Sequence, residues 1–304
     1  MKKKFSIIIP TYNRPGLLEE LLESIAIQDF NPDEFEILII DNHSDNDVKK
    51  QLDHFISKYP RFSFIKYIHE PKRGLIHAWN RGIKESQGEL LVFLDDDVTL
   101  HQDYFKILSS DFPSPIKNIT GGGHVSPVFE SQKPAWINKF IMPVFAEIDL
   151  GERSKFPKKK HPFGTNMLIS RDVFDKVGLF KEETPEKPKG FVPGLLEDNF
   201  FKRVRKENIP VYYFHDLVVW HYIPQEKLSK KYVRERITEA VKIKKEIARE
   251  KGLLPYLYLI FKELLKYFAM IPLGLYYIFT SQWEKFGMLL KVRWWKTKVL
   301  LGLI

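Results

Sequence analysis

Short apolar runs of β type alternate with amphipathic segments along the first half of the chain, and this alternation restricts the possible folds more than any other feature. The predicted strands cover residues 5–9, 35–40, 62–67 and 90–94, and helices are predicted after Pro15 and over 74–86. Such alternation is typical of a parallel sheet flanked by helices. Because crossovers between parallel strands are right-handed, the carboxyl ends of these strands meet at one edge of the sheet, which is where ligands bind.

The second half of the chain has a less regular pattern. From about 111 to 163, several prolines and the glycine run 121–123 predict loops and short elements. Regular structure then resumes, with a strand at 166–170, a helix at 171–177, a helix opening near Leu195, and strands at 209–214 and 217–220. After Pro224 a long charged helix is predicted to about residue 251, followed by an apolar tail.

Composition excludes several classes of protein. Of the 304 residues, 44% are hydrophobic and 29% charged, which fits a folded protein and argues against disorder. The chain contains no cysteine, so disulfides, zinc–thiolate sites and cysteine nucleophiles are excluded. Any metal must therefore be held by oxygen or imidazole ligands.

The net charge of +9 is unevenly distributed. Residues 1–224 carry 31 Lys and Arg against 32 Asp and Glu, whereas residues 225–304 carry 17 against seven, a net charge of +10. A basic tail rich in Leu, Tyr, Phe and Trp favours an anionic membrane surface as partner, and the near-neutral remainder argues against nucleic acid. The alternatives are a solvated lysine-rich helix, a helical cap on the rest of the chain or a dimer interface.

Two further observations concern location. The basic start at residues 1–4 precedes an apolar run that stops at Pro10 without a cleavage site, which predicts that the chain stays on the cytoplasmic side. The uncharged stretch 267–280 would be about 21 Å long as a helix, against about 30 Å of bilayer hydrocarbon. We therefore expect peripheral or monotopic attachment to the cytoplasmic face of a membrane.

Acidic residues follow two of the predicted strands directly. Asp41 follows the second strand, and Asp95, Asp96 and Asp97 follow the fourth. In extended backbone Asp95 and Asp97 point the same way, so both can bind one hard cation such as Mg²⁺ or Mn²⁺. The alternative is a solvated turn, in which aspartate is also common.

The first strand ends at a proline and then presents polar and aromatic side chains. The segment in question is Pro10, Thr11, Tyr12, Asn13 and Arg14. A base or a sugar ring could stack on Tyr12 there, although the tyrosine could equally cover the core.

Taken together, these motifs resemble the family 2 glycosyltransferases, inverting enzymes with the GT-A fold, over roughly residues 5–224. The resemblance lies in the order of five motifs: residues 6–14, the turn at 39–45, the aspartates after Phe93-Leu94, the segment 164–169, and Leu196-Glu197-Asp198. It implies an α/β, Rossmann-like, mostly parallel sheet flanked by helices, with a nucleotide-sugar half at about 1–110 and an acceptor half at about 111–224. Residues 225–304 would form a basic, amphipathic, helical and membrane-associating extension.

The resemblance also implies roles for individual residues. Asp41 would accept a hydrogen bond from the imide of uracil or thymine. Residues 10–14 would contact the donor together with Asp95 and Asp96, and either Asp95 or Asp96 would lie nearer the ribose. Asp97 would be the metal ligand, with Asp95 and His221 in support. Thr165, Asn166 and Glu197 would bind the acceptor, and Asp198 would be the catalytic base.

The chain departs from the family pattern at one position. Members often carry Ala-Arg-Asn after the third strand, whereas this chain has Ala78-Trp79-Asn80. Asn80 would still contact the donor. Arg73, or else Lys72 or Arg81, would replace the missing arginine beside the diphosphate.

The implied activity is metal-dependent transfer of a sugar from a UDP- or dTDP-linked donor to a hydroxyl of a cell-surface glycan or lipid-linked precursor. Two alternatives are a sugar-phosphate nucleotidyltransferase and a membrane-associated module that binds sugar nucleotides without turnover. The first would require a glycine-rich turn after the first strand, which residues 10–16 do not provide.

Overall fold

The computed structural model describes residues 3–158, 160–181 and 194–304. Its strands are β1 (Phe5–Thr11), β2 (Phe35–Asp41), β3 (Lys66–His69), β4 (Leu90–Leu94), β5 (Val98–Leu100), β6 (Thr120–Phe129), β7 (Ser154–Lys155), β8 (Asn166–Ser170) and β9 (Tyr212–Ile223). Its α-helices are α1 (Pro15–Ala26), α2 (Val48–Lys58), α3 (Leu75–Glu85), α4 (Tyr104–Asp111), α5 (Arg171–Val177), α6 (Leu195–Lys206), α7 (Lys230–Glu250), α8 (Leu253–Phe279) and α9 (Trp283–Leu301).

The strands form one mixed sheet in the order β3-β2-β1-β4-β8-β6-β9-β5, with β7 pairing with β9. The half from β3 to β4 is parallel, whereas β8, β6, β9 and β5 continue it with antiparallel pairings where register is defined. β1, β2 and β4 are buried along their whole length, as expected of central strands covered by helices on both faces. The α/β fold class predicted from the sequence is confirmed.

Local sequence explains how the first helices begin. Pro15 occupies the first turn of α1, where its missing N–H costs nothing, and Leu18, Leu21, Leu22 and Ile25 form the buried face. The side chain of Asp47 accepts a hydrogen bond from the Lys50 backbone N–H and so caps α2, which the sequence analysis did not predict.

Three predicted strands differ from the observed ones. The third strand lies at Lys66–His69 rather than at 62–67, because Pro60–Phe62 forms a 3₁₀ turn that buries Phe62. The two strands predicted at 209–214 and 217–220 are one continuous strand, β9. The glycine run predicted as loop lies inside β6, a strand of ten residues.

The described residues cluster into two compact units. The first contains residues up to 128 with 148–181 and 194–222, and holds the sheet; the second contains 129–147 and 223–304. Residues 129–147 therefore group with the C-terminal helices and not with the acceptor half in which they were predicted. The assignment of functional halves within the first unit stays a prediction.

The second unit is a bundle of α7, α8 and α9 packed on one another. Its main core joins Trp136, Ile141 and Phe145 to Val233 and Ile237 of α7 and to Met288 and Val292 of α9. Along the described chain, no helix combines the length and apolar character needed to cross a membrane.

Candidate active site

The carboxyl ends of β1, β2 and β4 bring polar side chains together at one edge of the sheet. Thr11 is paired in register with Asp41 across β1 and β2. On its other side, the Thr11 hydroxyl donates to Asp96 Oδ2 at 2.8 Å. The ends of three neighbouring strands are thus linked through one threonine, as the sequence predicted for this edge.

Arg14 provides the positive charge for the aspartate cluster. Its Nη1 donates to Asp96 Oδ1 at 3.1 Å and to Asp97 Oδ2 at 3.0 Å. Both aspartates are buried. Burial raises the pKa of Asp96 to about 6, against the opposing charge of Arg14. Burial disfavours the charge on Arg14 as well, but Asp96 and Asp97 outweigh it and raise the pKa of the guanidinium.

The turns after β1 and β2 are hydrogen-bonded to each other. Asn13, in a left-handed conformation at φ 55°, donates from Nδ2 to Asp45 Oδ2 at 2.7 Å and accepts the Asp45 backbone N–H at 2.7 Å. Tyr12 is 40% exposed, and the Arg73 guanidinium lies 5.2 Å from its ring centroid. Arg73 also contacts Asp45 at 3.3 Å, so its charge lies beside these turns. Tyr12 thus presents a ring with a cation at its face, while Pro10 is buried within β1.

Asp41 is held in place by two donors. Its Oδ1 accepts the Ser44 backbone N–H at 2.9 Å, and its Oδ2 accepts the Tyr67 hydroxyl at 2.7 Å. Burial and the hydrogen bond to Asp41 raise the pKa of Tyr67 to about 12, so the phenol remains a donor at neutral pH. Each carboxylate oxygen keeps lone-pair capacity for a further donor.

A third group of residues connects the aspartates to α6. Leu94 pairs in register with Asn166 across β4 and β8, which places Thr165 beside Asp95, and the threonine hydroxyl donates to Asp95 Oδ2 at 2.8 Å. The Gly164 backbone N–H donates to Glu197 Oε1 at 3.1 Å. Burial raises the pKa of Glu197 to about 7, and the charge of Asp95 acts in the same direction. Burial and the charge of Asp97 raise the pKa of Asp95 in turn.

Two asparagines predicted to contact substrate are used inside the protein instead. Asn80 bonds the Phe180 backbone with both ends of its amide, at 3.0 and 3.1 Å. Asn166 is fully buried, accepts from the Tyr104 hydroxyl at 2.7 Å, and donates to the carbonyls of His124 and Leu217. Both amides are occupied by structural hydrogen bonds, which corrects the donor role of Asn80 and the acceptor role of Asn166.

Trp79, at the position where relatives often carry arginine, is a core residue. Its side chain is fully buried, and a Cβ added at Gly164 would lie 2.1 Å from the indole. Arg81 pairs with Glu85 along α3 at 3.0 Å. Of the basic side chains considered as replacements, Arg73 is the one that contacts the turns after β1 and β2.

Asp198 faces a different environment from its neighbour Glu197. Its Oδ2 lies 2.6 Å from Lys202 Nζ and its Oδ1 lies 3.9 Å from His161 Nε2, and its side chain is 37% exposed. It lines a surface depression with Lys158, Lys202, Arg205 and Lys206. Burial lowers the pKa of His161, whose ring stacks on Phe201. Glu197 therefore lies buried near Asp95, whereas the adjacent Asp198 lies in an accessible basic depression.

The predicted metal ligands include atoms that bind divalent cations, but their side chains do not converge on one point. His221 is paired in register with Val98, directly after Asp97, and its Nε2 lies 3.4 Å from Asp97 Oδ1. The carboxylate oxygens suit Mg²⁺ or Mn²⁺. Within the described ranges, however, no three acidic or histidine side chains converge in a metal-holding group, and Arg14 occupies one oxygen of Asp97.

Some contributors were not found from the sequence. Tyr67 and Ser44 fix the Asp41 carboxylate, and His161 lies beside Asp198. Tyr67 was predicted as the end of a strand, and its pairing with Ile39 is what directs it beside Asp41. His161 lies in a segment without periodic pattern, so nothing in the sequence linked it to α6.

Comparison with known proteins gives concordant results. The chain is 25% identical over 216 residues to glycosyltransferase AglE of Haloferax volcanii, which covers 71% of this chain and 66% of that protein. It is 38% identical over 96 residues to a GalNAc(5)-diNAcBac-PP-undecaprenol β-1,3-glucosyltransferase of Campylobacter jejuni, covering 31% and 29%. The chain thus spans about two thirds of one relative and under a third of the other.

A solved structure agrees on the fold. The mannosyltransferase PcManGT of Pyrobaculum calidifontis, in complex with GDP-Man and Mn²⁺, superimposes with a TM-score of 0.57 at 16% identity, covering 99% of this chain and 74% of that one. The family model described as glycosyl transferase family 2 matches residues 6–178, more than half of the chain. The chain belongs to glycosyl transferase family 2 and has the GT-A fold.

Proposed function

We propose that this enzyme is a metal-dependent inverting transferase that moves a sugar from a UDP- or dTDP-linked donor to a hydroxyl of a cell-surface glycan or lipid-linked precursor. One observation carries the proposal: Asp41, Arg14 with Asp96 and Asp97, and Thr165 with Asp95 lie at the ends of adjoining strands of one sheet. A nucleoside diphosphate laid along this edge would meet first a base acceptor and then a cluster of charges.

The nucleoside end of the donor would lie between the turns after β1 and β2. The base would stack on Tyr12, and its imide N–H would donate to Asp41, whose carboxylate is already oriented by Ser44 and Tyr67. Uracil and thymine share this imide group. Guanine also offers a ring N–H, so a GDP-linked donor, as in the PcManGT complex, belongs in any donor panel.

The diphosphate end would lie at the aspartates. Arg14 and Arg73 offer positive charge to phosphate oxygens. We propose that Asp95, Asp97 and His221 hold Mg²⁺ or Mn²⁺ with the donor, and the solved complex of PcManGT with Mn²⁺ supports a divalent ion in this fold. When bound, such an ion neutralises charge on the departing diphosphate.

Asp198 is the proposed base. The acceptor hydroxyl would give its proton to the Asp198 carboxylate while its oxygen attacks the anomeric carbon from the face opposite the leaving diphosphate. Asp198 is accessible, lies in the first turn of α6, and its Oδ2 lies 2.6 Å from Lys202 Nζ. Glu197, buried and oriented by the Gly164 N–H, would align the acceptor with Thr165.

Two observations support the proposed acceptor and location. The Campylobacter relative is named for a lipid-linked acceptor, and residues 225–304 of this chain carry a net charge of +10. We propose that the enzyme works on a glycan or lipid-linked precursor at the cytoplasmic face of a membrane, attached peripherally or monotopically.

Release of nucleoside diphosphate from a panel of UDP-, dTDP- and GDP-sugars tests this function, with membrane extract as acceptor source. We expect turnover with Mn²⁺ that EDTA abolishes and that falls at least 100-fold in Asp97→Ala and in Asp198→Asn. Asp53→Asn, which alters an exposed carboxylate of α2, serves as control and should leave turnover unchanged. Equal turnover in wild type and Asp198→Asn would refute the assignment of the base, and turnover insensitive to EDTA would refute metal dependence.

A further inference from the structure

Helix α8 exposes an uncharged apolar face along its whole length. Between Leu253 and Phe279, twelve large apolar side chains are 45% or more exposed, among them Leu254 at 78%, Phe268 at 70% and Phe279 at 84%. At 3.6 residues per turn these twelve fall within an arc of about 140° that contains no charged residue. The opposite face is buried in the bundle through Glu263, Met270, Gly274 and Tyr277.

The size of this face is unusual for a protein surface in water. The helix has 27 residues and is therefore about 40 Å long. Its five exposed aromatic side chains, which are 56–84% exposed, present on the order of 600 Å² between them. Apolar patches above a few hundred Å² mark sites of interaction.

The apolar face continues onto α9. The hydroxyls of Tyr267 and Thr297 hydrogen-bond at 3.0 Å across the seam between the two helices. Trp294 and Leu301, which are 52% and 51% exposed, lie three residues before and four after Thr297 and so share its side of α9. Leu264 and Ile271 flank Tyr267 in the same way on α8. The exposed apolar side chains of α8 and α9 therefore lie on either side of the contact between the two helices.

Lysines border this surface. Lys262 lies just outside the apolar arc, with its Nζ 5.1 Å from the Tyr258 ring, and Lys298 Nζ lies 4.9 Å from the Trp294 ring. These contacts place ammonium groups at the edge of an aromatic surface, the arrangement that suits the boundary between acyl chains and phosphate headgroups.

Charge decides between the possible occupants of this face. A second copy would bring two regions of net charge +10 together, whereas an anionic bilayer meets the lysines with opposite charge. We propose that the outer face of α8, with Trp294 and Leu301 of α9, lies in the plane of an anionic membrane surface with its apolar side chains below the phosphates. This specifies the face used in the membrane attachment proposed above, and its test involves no sugar transfer.

Vesicle flotation tests the inference directly. The full chain is mixed with vesicles of phosphatidylcholine, with or without 30 mol% phosphatidylglycerol, and the bound fraction gives a partition coefficient. We expect strong binding to the anionic vesicles and at least a tenfold loss in Phe261→Ser/Phe268→Ser. The control Ile27→Ser, at a site that is 71% exposed in the first unit, should bind as wild type. Lys262→Glu/Lys298→Glu should lose the preference for anionic vesicles, while Lys50→Glu on α2 should keep it.

Three results would overturn the inference: no binding of wild type to anionic vesicles, unchanged binding of the double serine variant, or lipid-free dimers in sedimentation that this variant converts to monomers. The last would assign the face to a second copy. Because the substituted side chains are exposed, matched melting temperatures confirm that all variants fold, and nucleotide-sugar turnover in detergent reports separately on the active site.

Discussion

At the scale of single residues, the candidate site depends on the positive charge that lies beside two buried carboxylates. Asp96 and Asp97 are 4% and 6% exposed, and Arg14 contacts both. Removing a partner from a buried charge costs more than the pair itself contributes, because the remaining charge is left without compensation. Arg14 therefore supports the site even without substrate, and a divalent cation at Asp97 would share its electrostatic role.

The contact of Arg14 with the two buried aspartates predicts how Arg14→Gln changes stability. In buffer with EDTA we expect a loss of about 1–3 kcal/mol in the free energy of unfolding, as for a buried acceptor that loses its donor. Millimolar Mn²⁺ should restore more stability to the variant than to wild type, because the ion replaces the lost positive charge. Thermal melts with and without Mn²⁺ measure this, with Arg81→Gln on α3 as control. An equal effect of Mn²⁺ on Arg14→Gln and Arg81→Gln would contradict the prediction.

Glu197 predicts a dependence of stability on pH. Its pKa is about 7 in the folded protein against an ordinary value of 4.5, so the folded state retains a proton that the unfolded state loses. This contribution to stability is complete below about pH 4.5 and disappears as pH rises through 7. Glu197→Gln does not ionise, so its melting temperature should gain on that of wild type between pH 5 and pH 8. A difference that stays constant over this range would show that Glu197 ionises normally.

The site residues that could be predicted from the sequence are those that directly follow a buried strand. Asp41 and Asp95 to Asp97 were found because they end buried apolar runs, and parallel pairing fixes where such ends meet. Asn80 and Asn166 match the family motifs equally well, but their amides bond Phe180, Tyr104 and two carbonyls. Those partners are distant in sequence, so motif position alone could not separate a substrate contact from a structural one.

At the scale of elements, β6 shows why a glycine run is not always a loop. A Cβ at Gly121 would lie 2.1 Å from the Tyr212 carbonyl oxygen, and one at Gly123 would lie 2.1 Å from that of Leu217. Because glycine has no side chain, these residues let β6 approach the backbone of β9 closely. Composition indicates a turn here, whereas tertiary contact makes a strand.

The pair Gly123→Ala and Gly16→Ala tests this explanation. At Gly123 the added methyl group meets backbone that cannot move cheaply, so we expect at least 1–3 kcal/mol of destabilisation. Gly16, in the first turn of α1, has nothing within 4 Å of an added Cβ, and alanine there should stabilise by about 0.4–1 kcal/mol. Denaturant titration of both variants gives the two signs, and destabilisation by Gly16→Ala equal to that of Gly123→Ala would contradict the account.

Elements with clear boundaries in the sequence were predicted closely. β4, β8 and α5 have the predicted bounds, since each ends where an apolar run meets turn or capping residues. α2 was missed because its lysine-rich sequence buries few residues, chiefly Val48, Leu52 and Phe55. β3 was misplaced because Phe62 is buried from a 3₁₀ turn and not from a strand.

At the scale of the whole molecule, the charge difference between the two parts of the sequence accompanies a difference in architecture. The unit that carries the sheet is close to neutral, and its ion pairs between Arg14 and the buried Asp96 and Asp97 lie at one sheet edge. The helical unit holds the excess of lysine and arginine and the exposed apolar face of α8. The sequence alone indicated this difference, but which helix face remains exposed follows from packing of α7, α8 and α9.

We expect one nucleoside diphosphate to contact the ends of β2 and β4 at once, and calorimetric titration with uridine and UDP in Mn²⁺ tests this most directly. Asp41→Asn should weaken both ligands about tenfold, or about 1.4 kcal/mol, because both carry the imide. Asp97→Ala should weaken UDP by at least as much and leave uridine unchanged, because uridine has no phosphate. If UDP binds wild type and both variants with equal affinity, the two aspartates do not share a ligand and the proposed site is wrong.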